Sequence, residues 1–148
     1  MECALEMRME KIMAVAIYND YLRDLLKNLD CILAYDTAAD YLGLTNGGYR
    51  PVAQIFSKTK TGITGVQEKV VDDFQNIEYT TINGLNCTTV NQTIIDLLYN
   101  DGDEQIIVES LANYYDMHND SFEGLDIPEG LNDRFHKYCE WAQEYYEE

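Results

Sequence analysis

The sequence predicts one α+β domain, with helices at both ends of a small, mainly antiparallel sheet. Three observations carry that prediction. Apolar side chains recur at three- and four-residue spacing over residues 4–29 and return to that spacing after Thr89. Between those stretches, short β-branched or alternating runs are cut by Gly, Asn and Lys/Thr turns. Two of the runs flank Asn83-Gly84, the strongest short-range hairpin signal. At 148 residues the chain is long enough for one well-buried core and short for two. Residues 1–44, 52–89 and 90–148 therefore read as an N-terminal helical part, a small sheet and an acidic helical part of a single domain.

The first helix spans residues 4–29, with Leu5, Met9, Ile12, Met13, Ala16, Ile17, Leu22, Leu25, Leu26 and Leu29 along one stripe. An apolar step at Cys31–Leu33 leads into a short helix over about Asp36–Leu42. Asn46-Gly47-Gly48 stops that helix, with Pro51 just beyond. Val52–Ser57, Gly65–Val71, Ile77–Ile82 and Leu85–Thr89 are the strands, and the last two form the hairpin. Thr89–Tyr99 is the next helix, with Thr89 or Asn91 as its N-cap and Val90, Ile94, Ile95, Leu97 and Leu98 as its apolar positions. Asn100-Asp101-Gly102 ends it. Asp103 caps a further helix that reaches about Asp116, with Ile106, Ile107, Leu111 and Tyr114 inward. His118–Pro128 reads as a polar loop. A last helix, about Glu129–Tyr146, buries Leu131, Phe135, Tyr138, Trp141 (or Ala142) and Tyr145.

Charge is the most informative property of the chain. From Asn100 to Glu148 there are fourteen acidic side chains against two bases, Arg134 and Lys137, whereas residues 1–99 carry thirteen acids and eight bases. The formal net charge of −17 is thus about −12 in the last third and −5 before it. Such a field repels phosphate backbones and anionic membrane surfaces and attracts basic protein grooves. A solvated helix usually interleaves Lys or Arg with its acids at four-residue spacing, and these helices and their connections hold only two compensating bases. The bases form no cluster beyond Lys58-Thr-Lys60, which argues against direct nucleic-acid binding. Apolar residues at 46% exclude a disordered acidic tail.

No stretch reaches the roughly 18 apolar residues of a membrane span. The run Ile12–Tyr18 follows Glu2, Glu6 and Glu10 and makes a poor secretory signal. Cys3, Cys31, Cys87 and Cys139 lack framework spacing and read as reduced thiols of a cytoplasmic protein.

Chemical motifs are weak. His136 and Cys139 share a helical face as His-x-x-Cys, but zinc needs four ligands and a second close pair is missing. A calcium loop starting at Asp101 would need Gly and Glu where Ile106 and Ala112 stand; one starting at Asp116 meets Ser121 and Ile127. There is no Gly-x-Ser-x-Gly, and the only serines are Ser57, Ser110 and Ser121. Gly62-Ile-Thr-Gly65 lacks the lysine and following helix of a phosphate loop. The expectation is a protein that is not an enzyme and holds no cofactor or metal.

Three stretches together resemble the AbiEi-type antitoxins of bacterial type IV toxin–antitoxin systems. The segment Ile32-Leu-Ala-Tyr-Asp-Thr-Ala-Ala-Asp-Tyr-Leu-Gly-Leu44 is similar to the opening of that family's second domain. Ile82-Asn-Gly-Leu-Asn-Cys-Thr-Thr89 running into Thr93-Ile-Ile-Asp-Leu-Leu98 resembles its sheet-to-helix junction. Ile106–Tyr115, with Glu109, Leu111 and Tyr114, resembles its next helix. The likeness covers about residues 30–116. Residues 1–29 are too short and too acidic for the family's DNA-binding winged helix, and Gln92 stands where the pattern leads one to expect a base. The resemblance implies an antitoxin-like scaffold without its DNA reader, of the kind a phage or mobile element reuses to inhibit a host defence nuclease, as an anti-CRISPR protein does.

The expected function is a non-enzymatic acidic inhibitor that binds a basic surface on a nucleic-acid-handling protein, a nuclease or toxin. The expected contact set is Asp101, Asp103, Glu104, Asp116, Asp120, Glu123, Asp126 and Glu129, with Tyr114 and Tyr115. The alternatives are a small metalloprotein or enzyme using His136 and Cys139, and a structural accessory subunit.

Overall fold

The computed structural model of the protein describes residues 18–45, 50–100 and 103–145. The first element, α1, is helical over residues 18–25; the expected helical positions 4–17 lie outside the described residues. Leu22 and Leu26 of its stripe are almost fully buried. Asn28, at a φ of 69°, turns the chain away from the helix. The order then runs β1 (Cys31–Leu33), α2 (Tyr35–Tyr41), β2 (Ala53–Ser57), β3 (Val66–Val70), β4 (Tyr79–Ile82), β5 (Leu85–Thr88), α3 (Val90–Asn100) and α4 (Glu104–Met117). A 3-10 turn, Glu129–Leu131, leads into α5 (Asn132–Glu144).

The architecture is α+β, as expected, but the sheet is mixed rather than mainly antiparallel. Its order is β3-β2-β1-β5-β4. Only β1–β2 and β4–β5 pair antiparallel, while β1–β5 and β2–β3 pair parallel. Nor do the helices sit only at the ends: α2 is inserted between β1 and β2. The reason lies in Cys31–Leu33. This apolar step is the central strand, with all three residues buried, so it shows no alternation. It pairs with Phe56 and its neighbours on one side and with Cys87 on the other.

The Asn83-Gly84 hairpin is present, both residues having positive φ, 49° and 87°, as a two-residue primed turn requires. Helix α2 matches the expected span to within one residue at each end, and Gly43 closes it. The Gly43 N–H reaches the Asp40 carbonyl at 3.1 Å and the Leu44 N–H reaches Ala39 at 2.9 Å, a Schellman closure with Gly43 at a φ of 76°. Asn46-Gly47-Gly48 lies outside the described residues. The expected caps of the later helices hold. Thr89 Oγ1 accepts the Gln92 N–H at 3.2 Å, and the Asp103 carboxylate accepts the Gln105 N–H at 2.9 Å.

Alternation splits the sheet residues between two faces. Leu33, Ala53, Ile55, Leu85 and Cys87 pack under Leu22, Leu26 and Ala38. Ile32, Ala34 and Phe56 face the other way, against Tyr35, Phe74 and Ile77. A third cluster joins α3, α4 and α5 through Ile94, Leu98, Ile107, Leu111, Tyr138 and Ala142, and it includes Ala39 and Leu44 from the α2 region. Burying each such Leu or Ile contributes about 1.5–3 kcal/mol. On α5 the pattern resolves in favour of Ala142, which is buried; Trp141 is exposed, and Leu131, Phe135 and Tyr145 are partly buried.

Candidate functional site

The expected contact residues fall at two poles of the helical layer. Asp103 and Glu104 open α4 and are exposed. Asp116 in the last turn of α4, and Asp120, Glu123 and Asp126 on the loop that follows, are exposed at the other end, while Glu129 is exposed in the 3-10 turn, whose Gly130 and Leu131 lie by Glu104. Asp101 lies outside the described residues. The poles are separated by the length of α4, roughly 20 Å at 1.5 Å per residue.

Tyr114 does not belong to the exposed set. It is 5% exposed, its ring stacks on His118 at 3.8 Å between centroids, and its hydroxyl donates to the Glu123 carbonyl at 2.6 Å. Tyr115 is half-buried against Phe122 at 4.9 Å. Both tyrosines hold the loop from beneath.

The loop from His118 to Pro128 is more ordered by contacts than its polar composition implies. Asn119 and Asp120 both adopt left-handed φ, 56° and 57°, and the Asp120 N–H bonds back to the Tyr115 carbonyl at 2.9 Å. The Glu123 N–H bonds Ser121 Oγ at 3.0 Å. At its far end, the Asp126 backbone exchanges two hydrogen bonds with the Asn91 side chain at the start of α3, at 2.7 and 3.2 Å. Phe122, Leu125 and Ile127 turn inward onto the helical core. The carboxylates of Asp116, Asp120 and Glu123 are therefore presented on a backbone anchored at both ends.

Their placement opposes helix electrostatics. The last turn of α4 carries a partial negative charge and holds no base, yet Asp116 stands there and Asp120 follows directly. Helix stability would favour Lys or Arg at this position. The ion pairs Asp20–Arg23, Asp40–Arg50 and Asp30–Lys58 lie upstream of these acids.

His136 and Cys139 are separated by burial. His136 is exposed, while Cys139 sits in the helical core with its thiol pushed up to about 12 by burial. Among the described residues no group of three or more His, Cys, Asp or Glu is arranged to hold a metal ion. No helix among them is long and apolar enough to cross a membrane.

One polar cluster escapes the sequence reading. Asp96 on α3 accepts a hydrogen bond from Gln92 Nε2 at 2.9 Å, while its Oδ2 is buried without a hydrogen-bond partner among the described residues. Burial pushes this carboxyl up to about 6, with Gln92 and Lys69 pulling the other way. Gln92 Oε1 also accepts the Glu78 N–H at 3.0 Å, so one amide serves both the Asp96 carboxylate and the backbone ahead of β4. Tyr35 adjoins the cluster at a φ of 52°, a left-handed residue at a strand-to-helix elbow. Only the apolar setting of Asp96, in Thr93-Ile-Ile-Asp-Leu-Leu98, was available as a signal.

Compared with protein-family models, with curated proteins and with solved structures, the chain gives no match.

Proposed function

We propose that this protein is a non-enzymatic inhibitor that docks an anionic surface onto a basic site of a nucleic-acid-handling protein, in the manner of an antitoxin or an anti-CRISPR protein. One observation carries the reading. Asp116, in the last turn of α4 where an acid costs stability, and Asp120 and Glu123, on the loop pinned by Asn91, Tyr114 and Tyr115, are exposed. A pinned loop loses little freedom on binding, so its charges act at low entropic cost. Asp116 gains nothing from the negative helix pole on which it stands, and an anionic surface of this kind suits a cationic partner. The net charge of −17 adds long-range steering toward such a partner. The likeness of residues 30–116 to AbiEi-type antitoxins supplies the class of protein.

The test is affinity capture from the native host with the wild type and an Asp116→Lys/Asp120→Lys/Glu123→Lys variant in parallel. The expected result is a basic nuclease or toxin retained by the wild type and lost by the variant, with affinity falling steeply as salt rises. An affinity indifferent to salt, or equal retention by both proteins, removes the reading.

A further inference from the structure

The sheet has two outer strands, β3 and β4, and they are guarded differently. An outer strand presents a row of backbone groups to solvent, and charge, proline or a bulge keeps it from pairing with another chain. β3 carries Glu68 and Lys69 within Val66–Val70. β4 is Tyr79-Thr80-Thr81-Ile82, uncharged, without proline and paired with β5 in unbroken register. Tyr79, Thr80 and Thr81 are exposed, so both faces of this strand meet solvent as well as its edge.

The register fixes which backbone groups face outward. The Asn83-Gly84 turn makes Ile82 and Leu85 a hydrogen-bonded pair, and antiparallel pairs alternate, so Thr80 and Cys87 form the next one. One step further, the Thr89 N–H donates to the Glu78 carbonyl at 3.1 Å, and the Glu78 N–H donates to Gln92 Oε1 at 3.0 Å. Glu78, Thr80 and Ile82 therefore turn their backbone groups inward. The N–H and C=O groups of Tyr79 and Thr81 point away from the sheet, on the side where β4 has no neighbouring strand. They stand at the two-residue repeat that an added strand would meet.

Charge selects the occupant. Asp72 and Asp73 are exposed just ahead of Phe74, whose ring meets that of Tyr79 edge-on at 6.2 Å, and Glu78 is exposed next to Tyr79. Lys58 lies 4.8 Å over the Phe74 ring but is paired with Asp30 at 3.1 Å. At the other end of the strand Lys27 and Arg23, the latter paired with Asp20, border Gly84. The acidic excess thus lies at the Tyr79 end. A second copy of the chain would bring another −17 to the same edge, whereas a cationic segment is drawn to it.

We infer that the open edge of β4 takes an extended basic segment of another protein as a sixth strand. The segment is bonded through the backbones of Tyr79 and Thr81, with its cations beside Asp72, Asp73 and Glu78. None of these residues belongs to the acidic loop after α4, so the two surfaces stand or fall separately.

The experiment follows the backbone amides of the isotope-labelled full chain by NMR. It adds a peptide of alternating lysine and valine, the same peptide methylated at every backbone nitrogen, or a peptide of alternating glutamate and valine. The expected result with the lysine peptide is a saturable shift and slower hydrogen exchange at the Tyr79 and Thr81 amides, with affinity falling as salt rises. The methylated peptide keeps the charge and loses the donors, so it should bind about tenfold more weakly or worse. The glutamate peptide should not bind. Thr81→Pro removes an N–H that the sheet does not use and should weaken the lysine peptide about tenfold. The comparison of peptides needs no variant, so it decides the matter should Thr81→Pro fold poorly. Equal binding of the lysine and methylated peptides, saturation by the glutamate peptide, or shifts confined to β3 overturn the inference. Shifts at Tyr79 and Thr81 that grow with protein concentration alone name a second copy as the occupant and overturn it too.

Discussion

Asp40 receives the Arg50 guanidinium through both carboxylate oxygens, 2.8 Å from Nε to Oδ2 and 3.2 Å from Nη2 to Oδ1. Thr45 Oγ1 donates to the same carboxylate. The Asp40 side chain is 7% exposed and that of Arg50 26%, so the pair ties the end of α2 to the residue preceding Pro51 with limited solvent screening. The hydrogen bond to Asp40 raises the Arg50 pKa, against an opposing contribution from burial. Arg50→Met, which strands a buried carboxylate, should cost about 2–3 kcal/mol, less than a fully buried pair because Arg50 is partly exposed. Thr45→Ala should cost about 1 kcal/mol. Urea unfolding of the two variants measures both.

Asp96 makes stability depend on pH in an unusual direction. Burial raises its folded-state pKa to about 6, above the ordinary carboxyl value of 3.8. The folded state therefore holds the proton more tightly, and stability from this group is full below pH 4 and lost as pH rises toward 6. Relative to Asp96→Asn, the wild type should lose roughly 1–3 kcal/mol between those limits. Thermal unfolding of both proteins across that window reads the change in their difference. A pH-independent difference would show that the carboxyl titrates normally.

The anchoring of the acidic loop is tested at Gly124. It has a φ of 97°, and a Cβ there would stand 2.8 Å from the Tyr114 hydroxyl oxygen. Gly124→Ala should therefore cost about 2 kcal/mol, by backbone strain and by displacing the bond from Tyr114 to Glu123. Tyr114→Phe, which removes only that bond, should cost about 1 kcal/mol. Hydrogen exchange should speed up at Asp120 and Glu123 in both.

The described cysteines should be chemically silent. Burial pushes the thiols of Cys31 to about 11 and of Cys87 and Cys139 to about 12. At pH 8 almost no thiolate forms, so iodoacetamide should label none of the three in native protein and all of them in denaturant. Mass spectrometry of the alkylated peptides decides the matter.

Helices and the hairpin were legible because their signals are local. The stripe through Leu22 and Leu26, the caps Thr89 and Asp103, and Asn83-Gly84 each depend on neighbours a few residues away. Strand β1 was not legible as a strand, because three buried residues show no alternation and their partners, Phe56 and Cys87, are distant in sequence. The parallel pairings have no local signature for the same reason. Between Trp141 and Ala142, periodicity leaves the choice open; packing of α5 on α4 settles it. At the candidate site the acids were visible as composition. What makes them a surface was not, since the tie between Asn91 and Asp126 spans 35 residues.

The central position of β1 bears on how the protein is cut. Leu33 lies beside Cys87, and Ala39 and Leu44 pack into the cluster formed by α3, α4 and α5. A fragment beginning at Val90 would keep the acidic surface and lose part of the core beneath it. Deletion mapping would thus report misfolding as loss of binding, and contacts must be located by point changes in the intact chain. The same arrangement favours complementation, in which separately produced pieces split between Thr59 and Gly62 regain structure only together.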